Sequence, residues 1–153
     1  MDFKKLDLAE LEQLTDIFGN AQHAFFDPGE ESHHVWAKDM AARHIGRGVT
    51  FWAGVSDDRP VGLVGLLHDR QPNGKNREFA QITHIGVRQD LRQKGYGSSL
   101  LANVESVARS AGVLILEAET NAATAVFYEK NGYTIDAKHR FGEVVHLYKD
   151  LRE

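Results

Sequence analysis

The N-terminal third of the chain shows apolar residues at a helical period. These residues are Leu8, Leu11, Leu14 and Phe18. Asp7 precedes them as a candidate N-cap, and Gly19 follows them as a candidate end. The pattern predicts a helix over residues 8–18, a loop over 20–32 and a second helix over 33–45.

The middle of the chain changes to a pattern that is typical of strands. Segments 49–55, 61–67 and 79–87 are rich in β-branched, aromatic and other apolar residues. Turn-forming residues separate them at 57–60 and 72–74. The pattern predicts an antiparallel meander, and an extra strand near residues 3–6. Segment 61–67 is apolar throughout, which indicates a strand buried on both faces.

Helical and strand patterns alternate in the last third. The apolar helical face consists of Leu100, Leu101, Val104, Val107, Ala108 and Ala111, and Gly112 follows it. A strand over 113–118 and a short helix over 122–130 come next, and two strands are expected near 133–137 and 143–149. The strand, helix and strand across 79–117 imply a parallel pair joined by a helical crossover. The fold class is therefore α/β with a mixed, mostly antiparallel sheet and flanking helices.

Composition and charge exclude several classes of protein. The chain has 153 residues, which we expect to form a single domain over 1–153, and it contains no cysteine for a disulfide, a thiol nucleophile or a Cys-ligated zinc site. The net charge of −4 gives no general attraction for nucleic acid or an anionic membrane. No apolar run reaches the ~20 residues of a membrane span, and the N-terminus does not resemble a signal peptide. We therefore expect a cytoplasmic protein with neither nucleic acid nor membrane as a partner, and its histidine spacing predicts no metal site.

The most informative segment is the loop over residues 87–98, between a strand and the long amphipathic helix. Gly95 and Gly97 allow the backbone to approach a ligand closely, and the helix N-terminus after them attracts anions. These features indicate a phosphate or pyrophosphate cradle. A Walker loop is absent, and Leu100 stands where a dinucleotide fingerprint has its third glycine, although Glu117 has a spacing that fits such a fingerprint. An ordinary helix start with a tight turn would also explain the glycines.

Two motifs in the right order resemble the GNAT superfamily of N-acetyltransferases. The first is the strand end at 85–87 followed by the Arg-x-x-Gly-x-Gly pattern of 92–97 and a long helix. The second is Asn121, a short helix that contains Tyr128, and the closing Gly132-Tyr133 pair. The resemblance covers nearly the whole chain. It implies the acyl-CoA N-acyltransferase fold, in which two parallel strands splay apart around acetyl-CoA.

The resemblance also implies a set of cofactor-binding residues. Backbone groups on the strand would pair with the pantetheine arm, and the amides of the glycine loop would hold the pyrophosphate. Asn121 would reach the cofactor, although an Asn before a helix is equally well explained as an N-cap. The cofactor-binding residues expected in this way are Ile85, Gly86, Val87, Arg92, Gln93, Lys94, Gly95, Tyr96, Gly97, Ser98 and Asn121.

For catalysis, the resemblance makes Tyr128 the acid that assists the leaving thiolate. The base is less defined, because the strand positions that carry it in some relatives are Gln81 and Thr83 here. His84 is adjacent, but strict alternation would turn it to the opposite face of the sheet. Glu117 and Glu119 on the next strand are the remaining candidates, and Glu117 is the catalytic residue predicted with Tyr128.

The acceptor of such an enzyme would be a small-molecule or peptide amine. The acidic residues Asp27, Glu30 and Glu31 would attract a cationic amine if they line the acceptor pocket. A CoA-binding module without catalysis would carry the same glycine loop, and a dinucleotide oxidoreductase is a third class. A homodimer is a possible assembly.

Overall fold

The computed structural model describes residues 1–14, 41–68, 78–136 and 144–152, which include a seven-stranded sheet. Its strands are β1 (Asp2–Leu6), β2 (Val49–Ser56), β3 (Arg59–His68), β4 (Phe79–Val87), β5 (Ile115–Thr120), β6 (Thr134–Ile135) and β7 (Val145–Asp150). They lie in the order β1-β2-β3-β4-β5-β7-β6. Every neighbouring pair is antiparallel except β4 and β5, which are parallel. The predicted mixed, mostly antiparallel sheet is confirmed.

Helices flank this sheet. They are α1 (Leu8–Glu12), α2 (Tyr96–Ser110) and α3 (Ala122–Lys130), with a short 3₁₀ helix at Gln89–Leu91, and residues 41–46 are also helical. Asp7 begins α1 in a capping box with Glu10. Most of the two predicted N-terminal helices, the loop over 20–32 and the turn at 72–74 lie outside the described residues.

The sheet has two buried faces, which we name by the helix that covers each. On the α2 face, helix residues such as Leu100 and Val104 pack with Ile82 and Leu116. On the α1 face, Leu11 belongs to a second cluster of buried residues. Its other buried members are Leu6, Ala41, Val49, Phe51, Ala53 and Leu63. Segment 61–66 is buried throughout, as its continuous apolar run predicts.

The parallel pair of strands separates after a few residues. Phe79 to Ile82 of β4 lie opposite Ile115 to Ala118 of β5, and the pairing ends there. Beyond that point β4 continues beside β3, and β5 continues beside β7. The splayed parallel pair that the resemblance implies is therefore present. We call the opening between residues 83–87 and residues 119–120 the gap.

Strand β5 begins two residues later than the sequence predicts. The N–H groups of Gly112 and Val113 donate to the carbonyls of Arg109 and Ala108, and Gly112 has a φ of +87°. This is a Schellman motif, in which an apolar residue after the glycine packs back on the helix. Val113 is therefore buried as part of the C-terminal cap of α2, and the strand begins only at Ile115.

Within the described residues, no helix is long and apolar enough to span a membrane.

Candidate active site

The glycine loop connects β4 to α2 through two left-handed backbone positions. Gln93 has a φ of +64° and Gly95 a φ of +85°. Gly95 is also the N-cap of α2, and it offers no side chain to the first amides of the helix. The first N–H groups of a helix have no partner within the helix. The amides that follow Gly95 are therefore suited to binding an anion, as the loop pattern predicts.

A groove of about 600 Å³ lies along this loop and the adjacent face of α3. Nine of the eleven residues expected to bind the cofactor line it, namely Ile85, Gly86, Val87, Arg92, Gln93, Gly95, Tyr96, Gly97 and Ser98. Lys94 is exposed and does not line it. The tertiary structure adds residues that the motif does not indicate, which are Leu91, Ala123, Thr124, Val126, Phe127 and Lys130. Val126 is an exposed apolar side chain in this lining.

Cations line the groove and lie near the glycine loop. Arg92 and Lys130 line the groove itself. Nε of Arg92 donates to the carbonyl of Val87 at 3.3 Å, and this hydrogen bond holds the guanidinium against the end of β4. Arg88 lies 3.5 Å from Asp90, a half-buried cation beside an exposed carboxylate. Positive charge here complements the helix N-terminus in attracting phosphates.

Asn121 begins α3 and does not line the groove. Its side-chain oxygen accepts from the N–H of Thr124 at 2.8 Å. The structure therefore shows the N-cap that the sequence offers as one explanation of this residue. Its contact with a cofactor stays a prediction.

Tyr128 is buried in the core on the α2 face rather than exposed in the groove. Its side chain is only 3% exposed. Its ring packs edge-on against the rings of Phe127 and Tyr133, at centroid distances of 5.4 and 5.2 Å. Among the described residues none forms a hydrogen bond with its hydroxyl. Burial raises the pKa of Tyr128 well above that of a free tyrosine, so the phenol is neutral at physiological pH.

The expectation that alternation turns His84 away from Thr83 is wrong, because β4 contains a bulge. His84 lies opposite Gly65, whereas Ile82 lies opposite Leu66, so Thr83 is the extra residue. Nδ1 of His84 lies 2.9 Å from the Thr83 hydroxyl, which requires both side chains on one face.

His84 is fully buried on that face, which is the α1 face. Its ring centroid lies 4.6 Å from that of His44 and 5.4 Å from that of Phe51. Alternation predicts that His84 lies on the opposite face from Thr83, but the bulge places it on the same face. The α1 face near the gap therefore carries the imidazole of His84.

Leu116 and Ala118 pack on the α2 face of the sheet. Because side chains alternate along a strand, Glu117 and Glu119 project from the α1 face. Glu117 lies opposite Gln81, where β4 and β5 are still paired. Glu119 lies beyond the last paired residue, at the gap.

The partner of Glu119 comes from β7. Its Oε1 lies 3.4 Å from Nδ1 of His146. The sequence does not indicate His146 as part of this surface, because it lies 27 residues further along the chain and only the pairing of β5 with β7 brings it there. Asp27, Glu30 and Glu31, which the sequence predicts near the acceptor, lie outside the described residues.

Comparisons with known proteins agree with this geometry. The model of the acetyltransferase (GNAT) family matches residues 11–133. A protein from Desulfovibrio desulfuricans, assigned to the same family, has 23% identity and a TM-score of 0.71 over 98% of both chains. A Bacillus subtilis acetyltransferase in complex with CoA has 20% identity and a TM-score of 0.72 over 97% of both chains.

A third structure is the PaiA N-acetyltransferase of Thermoplasma acidophilum in complex with coenzyme A. It has 19% identity and a TM-score of 0.73, over 97% of this chain and 98% of that chain. At these identities the three structures show a shared fold. No curated protein sequence matches the chain.

Proposed function

The chain belongs to the acetyltransferase (GNAT) family and is an acetyl-CoA-dependent acetyltransferase, and we propose that it transfers the acetyl group to a primary amine. The observation that carries the proposal is the position of the gap. It opens beside a groove that has a helix N-terminus at one end, so a long ligand held by its phosphates can present its reactive end between the strands.

The groove residues have distinct proposed roles toward acetyl-CoA. The amides that follow Gly95 and the charge of Arg92 hold the pyrophosphate, assisted by Lys94 at the surface. The edge of β4 at Ile85 and Val87, which β5 leaves open, pairs with the amide groups of the pantetheine arm as an added strand would. An N–H of this strand also polarises the thioester carbonyl. Asn121 is proposed as a further contact of the cofactor.

The reaction we propose is direct attack. The ammonium form of the acceptor releases one proton to a carboxylate or to solvent, and the free amine forms the C–N bond at the thioester carbon. The C–S bond then breaks. The second proton of the attacking nitrogen leaves as the amide forms, and the CoA sulfur gains one to become the thiol.

Tyr128 is the proposed hydrogen-bond donor to the departing sulfur. A raised pKa makes its phenol a weak acid, so full proton transfer before bond cleavage is unfavourable. A hydrogen bond that strengthens as charge develops on sulfur still lowers the barrier. In the core cluster that holds it, Tyr128 is kept neutral and has its donor available for this contact.

The proton acceptor is proposed among the carboxylates of the α1 face. Glu117 is the residue predicted from the sequence, and Glu119 is its neighbour at the gap. An alkylammonium has a pKa near ~10.4, so the rate should rise from pH ~6 to ~9 as the free amine becomes available. A Glu117→Gln variant whose pH–rate profile overlays that of the parent would remove Glu117 from the mechanism.

The proposed partners are acetyl-CoA and a small-molecule or peptide amine. A net charge of −4 gives no reason to add nucleic acid or membrane. The cytoplasmic location, the single domain and the homodimer stay predictions.

The deciding experiment is thiol release from acetyl-CoA in the presence of a panel of amines. The panel contains benzylamine, lysine, spermidine, an aminoglycoside and a peptide with a free N-terminus, and mass spectrometry identifies the acetylated product. Release that depends on both an amine and the protein supports the proposal. Stabilisation by CoA without release with any amine would instead identify a CoA-binding module, and no response to CoA would contradict both.

A further inference from the structure

The end of β5 carries two buried oxygen atoms without a hydrogen-bond partner among the described residues. They are Oε2 of Glu119 and Oγ1 of Thr120. Both residues follow Ala118, the last residue of β5 that is paired with β4. Buried polar atoms are nearly always hydrogen-bonded, because an unmet one lowers stability. Two consecutive exceptions at the gap indicate that this strand end is built to meet a ligand.

The two oxygens belong to opposite faces of the sheet. Thr120 follows the alternation of Leu116 and Ala118 and so belongs to the α2 face, where the cofactor groove lies. Glu119 belongs to the α1 face. If a thioester enters the gap from the α2 face and an amine from the α1 face, the thioester lies near Oγ1 of Thr120 and the amine near Oε2 of Glu119.

Glu119 is held by one oxygen only. Its Oε1 lies 3.4 Å from Nδ1 of His146, and the two side chains are 16% and 26% exposed. The carboxylate of Glu119 can accept several hydrogen bonds, and an ammonium group can donate up to three. The bond between them is charge-assisted and therefore strong in a partly dehydrated site.

We propose that Glu119 binds the ammonium group of the acceptor, with His146 as the residue that positions its carboxylate. This rests on the proposed function and narrows its substrate class to amines that are protonated at neutral pH. Glu117 is less suited to this role, because it lies opposite Gln81 in the part of the sheet where the two strands are still paired.

A charged and an uncharged acceptor of similar shape separate this role from a structural one. Benzylamine is an ammonium ion at neutral pH, and aniline is a neutral amine. In a Glu119→Gln variant, the KM for benzylamine should rise about 10- to 100-fold, the value of one charge-assisted hydrogen bond, while the KM for aniline changes less than about twofold. A His146→Gln variant should move the same KM in the same direction by a smaller factor.

Glu78→Gln is the matched control. It removes one exposed carboxylate next to the opposite end of the same strand pair, and it should change neither KM. An equal change for both amines in Glu119→Gln, or no change for benzylamine, would overturn the proposal.

An NMR titration of the parent protein tests the contact without turnover, and a variant is needed only to assign the signals. With CoA present, benzylammonium should shift the imidazole signals of His146, assigned with a His146→Gln variant, and aniline should not. Absence of that shift would overturn the proposal. If the parent protein acetylates amines and Glu119→Gln leaves both KM values unchanged, the role of Glu119 is wrong but the proposed function stands. A parent protein that acetylates no amine would remove the proposed function with it.

Discussion

Gly97 and Phe127 both line the groove along the glycine loop, and they lie so close together that a Cβ on Gly97 would be 3.1 Å from Cε1 of the ring. A contact this short forces the neighbour to move by a few tenths of an ångström. Gly97 has no left-handed backbone angle, so this contact with Phe127 explains the glycine.

We therefore expect Gly97→Ala to weaken acetyl-CoA binding, because the displaced Phe127 ring narrows the groove. The thermal shift with acetyl-CoA measures this. A ligand at 100 times its Kd stabilises a protein by about 2.7 kcal/mol, and a tenfold weaker affinity removes about half of that. The double variant Gly97→Ala/Phe127→Leu should recover part of the shift, and full binding by Gly97→Ala alone would contradict the account.

Gly95 is expected to respond through the backbone rather than through a contact. Its φ of +85° is left-handed, and a Cβ there would meet nothing within 4 Å. Gly95→Val should lower the free energy of unfolding by about 1 to 2 kcal/mol, whereas Gly95→Asn should cost less, because Asn tolerates this conformation. Urea denaturation without ligand checks it, and equal losses for Val and Asn would argue against backbone strain.

Tyr128→Phe should lower kcat by about 10- to 1,000-fold and leave the KM for acetyl-CoA nearly unchanged, because only an interaction of the transition state is lost. The free energy of unfolding should hardly change, since no described residue is hydrogen-bonded to the hydroxyl. Steady-state kinetics and urea denaturation are both needed. A kcat within about twofold of the parent's would make Tyr128 a core residue only.

Stability should fall at high pH because of the two buried tyrosines. Burial raises the pKa of Tyr128, and burial together with the charge of Glu105 raises that of Tyr133. Below pH ~10 both tyrosines are neutral in the folded and unfolded chains, so their contribution is fully present. Above it the unfolded chain ionises first, and each tyrosine removes up to about 1.4 kcal/mol per pH unit.

Urea denaturation between pH ~8 and ~11 measures this slope. Tyr133→Phe should reduce the slope, while Tyr148→Phe, which removes an exposed hydroxyl, should reduce it less. A Tyr133→Phe variant with the parent's slope would contradict the explanation.

The partly buried ion pair beside Tyr133 should contribute measurably to stability. Nζ of Lys149 lies 3.0 Å from Oε1 of Glu105 and 3.0 Å from the carbonyl of Asn131, and the Tyr133 hydroxyl donates to Glu105 at 3.0 Å. Lys149→Met leaves a buried carboxylate without its cation, for a loss of about 3 kcal/mol. Adding Glu105→Gln should recover part of it.

The matched control is Arg152→Met, which breaks an exposed pair with Asp150 and should hardly change stability. Lys149→Met and Arg152→Met variants of equal stability would show that the pair of Lys149 and Glu105 contributes nothing.

Local pattern was sufficient for much of the fold. Both bounds of β4 and of α3 were predicted from the sequence, because each element is enclosed by its own turn and cap signals, such as Asn121 before α3. The glycine loop was recognisable for the same reason. Its glycines, its cations and the helix that follows are contiguous in the chain, so a short-range motif contains the physics.

Tertiary structure decided what depends on partners distant in sequence. Val113 is apolar whether it extends a strand or closes a Schellman motif, and the cap of α2 determines which. His84 is turned to the face of Thr83 because β4 must bulge to stay in register with β3, and this depends on β3 rather than on β4 itself. Likewise, only the pairing of β5 with β7 places His146 beside Glu119. The sequence by itself determined the sheet, the crossover and the loop suited to phosphate. The packing of the strands decided which polar side chains meet at the gap. Register and strand separation depend on how two strands pair, and the sequence of either strand alone does not determine them.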